Sequence, residues 1–163
     1  MASLQETFAA LVEDLDGAML VITVSVDGER GGCLVEFSTP ASSDPPRFIV
    51  CLSKKNRTFR LADRAAALAV HFLANDAREL AELFGGETTD EVDKFDHCSW
   101  TEGPGGLPIL DASPTWFAAR IVKRLDGGDH EAFLLEPFEV RRSDGHEPFR
   151  ASQARPIEPG HEL

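Results

Sequence analysis

Between Gly32 and Thr58 the chain reads GCLVEFSTPASSDPPRFIVCLSKKNRT, and most of the chemistry the sequence offers lies there. Lys54, Lys55 and Arg57 follow an apolar run and are interleaved with Ser53, Asn56 and Thr58. Cations with hydroxyl and amide donors, at a helix start where backbone N–H groups are unpaired, are what a phosphate group requires. The same residues also suit a solvated turn with a helix cap, and composition leaves that alternative open. The setting gives the basic island its interest. Asp and Glu number 28 against 16 Lys and Arg, a formal net charge of −12. A surface of that sign repels nucleic-acid backbones and anionic lipid, so no nucleic acid and no membrane is expected as partner.

Other chemistries lack their signatures. There is no G-x-G-x-x-G, no P-loop, no H-E-x-x-H and no G-x-S-x-G. His71, His97, His130, His146 and His161 are not paired at metal-ligand spacing, so no metal is expected. Cys33, Cys51 and Cys98 are odd in number and form no C-x-x-C, which argues against a disulfide framework or zinc. Cys33 and Cys51 lie in apolar runs and read as small core residues. No apolar run is long enough to cross a bilayer as a helix, and no secretory signal is legible, so the expected location is cytoplasmic.

The elements that must position these residues follow from patterning. A length of 163 residues favours a single domain, residues 1–163. Ser3 and Glu6 form a capping box, and Leu4, Phe8, Leu11, Val12 and Leu15 share a helical face ending at Gly17. Met19 to Val26 is a strand, Asp27-Gly28 a hairpin turn, and Cys33 to Ser38 the partner strand. A Ser/Thr-rich loop and Pro45-Pro46 precede a strand from Arg47 to Leu52. Asn56 or Thr58 caps a short helix through Asp63, Ala67 to Leu73 is a strand, and Ala77 to Phe84 is a helix closed by Gly85-Gly86. Gly103 to Pro108 reads as a loop. Thr115 to Leu125 and His130 to Arg141 are long strands joined by a Gly-rich hairpin. Glu136-Pro137 marks an edge or a bulge in the second of these. The stretch from Ser143 onward (143–163) reads as an irregular tail or a dimer arm. About six strands dominated by hairpins imply a mainly antiparallel fold with peripheral helices, closed as a β-barrel that hides its edges.

At this point the sequence resembles the flavin reductase family, whose fold is the FMN-binding split barrel. Ser42-Ser43-Asp44-Pro45-Pro46, Phe48-Ile49-Val50-Cys51-Leu52 and the run Ser53 to Thr58 match that family's motifs in order and spacing. Lys94-Phe95, Trp100, Gly106-Leu107-Pro108-Ile109-Leu110 and Gly128-Asp129-His130 continue the match, which covers roughly Leu15 to Val140. The resemblance implies FMN or FAD as cofactor and NADH or NADPH as hydride donor. It implies that Ser38, Thr39 and Ser42 face the flavin, and that Cys51, Leu52 and Ser53 offer backbone groups to the polar edge of its ring. Lys54, Lys55, Asn56 and Thr58 would hold the phosphate, and His130 would lie on the nicotinamide side. It further implies a homodimer and a monooxygenase that consumes the reduced flavin. The runner-up is a split-barrel binding protein for flavin, deazaflavin or haem without reductase turnover. Glu36 and Phe37, in the flavin-contacting stretch, stand where the family keeps Asn and Ser. A carboxylate there repels an anionic ligand, so Glu36 either points away or selects a flavin state or another ligand.

Overall fold

The computed structural model describes residues 1–86 and 93–157. Its first helix, α1 (Leu4–Glu13), starts from the expected capping box, with the Ser3 and Glu6 side chains bonding each other's backbone N–H. The apolar face of α1 is not covered: Leu4, Phe8, Leu11 and Leu15 are all well exposed.

The strands β1 (Leu20–Val26) and β2 (Glu29–Val35) form a hairpin. Its turn residues Asp27 and Gly28 both have positive φ, 51° and 82°, the twist that two-residue hairpins favour. Next come β3 (Ser38–Ser43), β4 (Pro46–Ser53), α2 (Arg57–Ala62), β5 (Ala67–Phe72) and α3 (Arg78–Gly86). They are followed by β6 (Trp100–Glu102), β7 (Pro108–Leu110), β8 (Trp116–Asp126), β9 (His130–Arg141) and α4 (Ala151–Ala154). Seven strands pair antiparallel in the order β2-β1-β5-β8-β9-β4-β3.

Strand twist and the bulges in β3–β4 and β8–β9 let the sheet curl, and alternation turns one apolar face inward. Leu20, Ile22, Cys33, Val35, Val50, Leu52, Leu68, Val70, Phe117, Phe133 and Leu135 come from six strands and share one buried cluster. A flat sheet cannot gather residues from so many strands around one centre, whereas a split barrel does. The outer face is also buried on one side. Val21 and Leu73 pack there against Leu80, Ala81 and Phe84 of α3 and against Phe149. His71, fully buried on the outer face of β5, donates from Nδ1 to Val21 O and accepts the Leu110 N–H at Nε2. It thereby ties the barrel to the β6–β7 ribbon. Burial pushes its pKa down to about 4.

Several sequence expectations need correction. The Ser/Thr-rich stretch is an edge strand, β3, not a loop. It tolerates Pro40 because the register breaks between Pro40 and Ser42. The Gly103–Pro108 loop is present, turning on Gly105 and Gly106 at φ 65° and 77°, but it joins two short strands, β6 and β7, that sequence patterning does not place. Gly85 and Gly86 lie within α3 rather than after it. The segment after Ser143 is not loose. Phe149 is buried, its N–H donates to Leu73 O, and Met19 N–H donates back to Phe149 O, so α4 is clamped onto the barrel. The remainder of the expected tail, residues 158–163, lies outside the described residues. Pro137 does sit at a bulge, and on one side β9 is an edge there, because β4 pairs no further than Leu135.

Candidate functional site

The chain passes from β2 to β3 through only Glu36 and Phe37. This corner links the first strand of the sheet to the last and closes the barrel. Phe37 O accepts the Cys51 N–H at 2.9 Å, which fixes the corner against β4. Beside it is a cavity of about 440 Å³, a size suited to a small organic ligand. Among the expected site residues, Glu36, Phe37, Cys51, Ser53, Asn56 and His130 line it. Met19, Leu34 and Val35 add an apolar wall, and Ala151, Ala154, Arg155 and Ile157 close the side formed by the C-terminal segment. Sequence reasoning missed this last group. Its signal is the apolar spacing from Phe149 through Ala151 and Ala154, which a polar, Pro-containing context obscures.

His130 opens β9 directly opposite Ser53. Its Nδ1 lies 2.8 Å from Asp129 Oδ1, and this hydrogen bond keeps the Asp129 carboxyl below its usual range. With Nδ1–H donated to Asp129, Nε2 is left as the ring atom for a ligand. The Phe37 ring stands beside the imidazole. Cys51 is half-buried, and desolvation raises its thiol pKa, so it offers the cavity an uncharged wall. Glu36 is likewise raised by desolvation, against the opposing pull of Arg155. Among the described residues, no group of three or more His, Cys, Asp or Glu is placed to hold a metal.

The basic island is dispersed by the fold. Lys54 Nζ reaches 2.6 Å to Asp126 Oδ1 in the β8–β9 hairpin. Arg57 donates to Arg30 O and pairs with Glu29 at the β1–β2 turn. Asn56 Oδ1 caps α2 by accepting the Thr58 N–H, and the Thr58 hydroxyl is buried beside the Cys33 thiol. The amides of Lys54, Asn56 and Phe59 already donate to Asp129 O, Ser53 O and Asn56 O. The donors expected to converge on one phosphate are therefore largely engaged internally. Lys55 is the exception: it is exposed, and among the described residues its ammonium makes no hydrogen bond or close ion pair, feeling Asp129 only at longer range. Ser38, Thr39 and Ser42 lie along β3 and do not line the cavity; Thr39 and Ser42 are exposed, and the Thr39 hydroxyl donates to Pro40 O. Leu52 is turned into the barrel core.

A seven-stranded antiparallel split barrel with a ligand-sized cavity at its closing corner is the architecture of a small-molecule-binding β-protein. The chain matches the "flavin reductase like domain" model over residues 14–157, and it belongs to that family. It is 28% identical over 141 residues to a protein of Stutzerimonas stutzeri named FMN reductase (NADH) RutF, covering 86% of this chain and 80% of that one. The solved structure of the Streptomyces globisporus NADH:FAD oxidoreductase SgcE6 superposes with a TM-score of 0.81 at 23% identity. It covers 91% of this chain and 89% of that one. The nitrilotriacetate monooxygenase component B of Mycobacterium thermoresistibile gives 0.76 at 21% identity, over 91% of this chain and 83% of that one. The cavity fits a flavin ring in kind: it has apolar walls for a planar heteroaromatic system and carries Ser53, Asn56 and His130 for polar edges.

Proposed function

We propose that this chain is a flavin reductase that passes hydride from NADH or NADPH to FMN or FAD held in the corner cavity. The observation that carries this reading is the cavity itself, set between Phe37, Cys51, Ser53 and His130 in a chain of the flavin reductase like family. When bound, the flavin supplies the hydride-accepting ring. The chain's residues bind and orient. Met19, Leu34 and Cys51 exclude water from one side of the cavity. Ser53 and Asn56 offer polar contacts, and Lys55 is the cation available for phosphate. Phe37 and His130, with the imidazole held by Asp129, make the surface on which a nicotinamide ring rests.

The active species is read as a homodimer of one-domain subunits, residues 1–163, in the cytoplasm. The uncovered α1 face supports the dimer, because Phe8 and Leu11 are 63% and 61% exposed, and a second copy would remove them from water. A monooxygenase fits as the consumer of reduced flavin. The test is spectroscopic. The purified protein should take up FMN with a shift of the visible flavin bands, and anaerobic NADH should bleach them. A protein that binds no flavin, or that holds flavin unbleached by either nicotinamide nucleotide, refutes the reading.

A further inference from the structure

Glu36 is a carboxylate in a place where a flavin-binding cavity has no evident need for one. It lines the cavity with Cys51, Ser53 and His130, and its carboxyl is partly desolvated there. Among the described residues it makes no hydrogen bond and no ion pair. Arg155 attracts it, while Glu13 and Asp16 repel it. Arg155 is shared, since its Nη2 also donates to Glu13 O. Asp16 is held as an anion by Ser152, whose N–H and hydroxyl both donate to it. On the far side, the His130 imidazole faces the cavity, tied to the Asp129 carboxylate. Around Glu36, the three carboxylates of Glu36, Glu13 and Asp16 thus outnumber two guanidiniums, Arg155 and the Arg150 that attracts Asp16.

That balance bears on redox state. Oxidation of the nicotinamide breaks its C–H bond and delivers a hydride, two electrons and one proton, to the flavin ring. The ring therefore gains one negative charge unless a further proton arrives. A fixed carboxylate in a partly dehydrated cavity acts on that added charge and hardly on the neutral oxidised ring. We infer that Glu36 makes the cavity discriminate between redox states, holding oxidised flavin and loosening the reduced product. This rests on the reading that the cavity binds flavin. It makes Glu36 a specificity-determining residue for product release, suited to a chain whose reduced flavin is collected by a second enzyme.

The test compares wild type with Glu36→Gln, which keeps the shape and removes the charge. Dissociation constants are measured for oxidised FMN and, anaerobically, for dithionite-reduced FMN, together with the midpoint potential of bound FMN. The ratio of reduced to oxidised dissociation constants should fall about tenfold in Glu36→Gln, which for a two-electron couple raises the potential by about 30 mV. Glu36→Ser should shift the ratio the same way, and Arg155→Gln the opposite way, a sign reversal that a merely structural role would not give. An unchanged ratio in both Glu36 variants overturns the inference while leaving flavin binding intact. Failure of wild type to bind either form overturns the flavin reading and this inference with it.

Discussion

The Phe37 ring and the His130 imidazole lie 4.9 Å apart, centroid to centroid, tilted by 43°. They come from opposite edges of one closing corner: Phe37 from the β2–β3 connection, His130 from the start of β9. Phe37 remains 42% exposed, so the pair contributes little to the core. Phe37→Ala should leave the melting temperature nearly unchanged yet raise the KM for NADH by about tenfold, the scale of one lost aromatic contact. Thermal melts alongside steady-state kinetics check this. A large drop in melting temperature with unaltered KM would assign the ring to stability instead.

The two neighbouring lysines should behave differently. Lys54 is committed to Asp126, whereas Lys55 makes no close ion pair among the described residues and meets Asp129 only at longer range. Lys54→Gln should lower the urea midpoint only slightly, as expected for loss of a solvent-exposed ion pair. Lys55→Glu should leave stability alone and weaken FMN binding about tenfold, as expected for loss of one charge-assisted phosphate contact. Equal effects of both on flavin affinity would contradict this division.

His71 predicts acid sensitivity. Its folded pKa of about 4 lies below the ordinary value of 6.5, so the unfolded chain binds the proton more readily. Its contribution is fully present above about pH 6.5 and is lost as pH falls toward 4, up to about 3 kcal/mol. Denaturant melts of wild type against His71→Leu across that window measure it. The variant should be less stable near neutrality, because the Leu110 N–H loses its acceptor, and the difference should shrink on acidification. Parallel pH curves would sink this account.

Gly32 has no room for a side chain. A Cβ there would come within 2.6 Å of Cε1 of Phe84 and 3.2 Å of the Ile22 carbonyl oxygen. Gly32→Ala should cost about 1–3 kcal/mol through overpacking between β2 and α3, read from a chemical denaturation midpoint.

The exposed α1 stripe bears on assembly. If the proposed homodimer forms through this face, wild type should sediment as a dimer and Phe8→Glu as a monomer with the barrel still folded; a monomeric wild type would overturn the proposed dimer. A variant that sediments as wild type would place the dimer contact elsewhere.

The sequence by itself determined the family, the long strands and their two hairpins, but not the edge strand β3 or the short β6–β7 ribbon. Asp27-Gly28, the run Phe48 to Leu52 and the long pair β8–β9 are local patterns, and local twist and alternation suffice to set them. Cys51, Ser53 and His130, which lie in motifs whose order is itself a signal, line the corner cavity. Only the tertiary structure decided which donors remain available. Lys54 and Arg57 were drawn from the expected phosphate grip by Asp126, Glu29 and Arg30 O, partners that lie far away in sequence. Charge pairing across a closed barrel depends on distances that no spacing along the chain encodes. The same holds for Arg155 and α4, which reach the cavity because Phe149 buries itself against Leu73 and Met19.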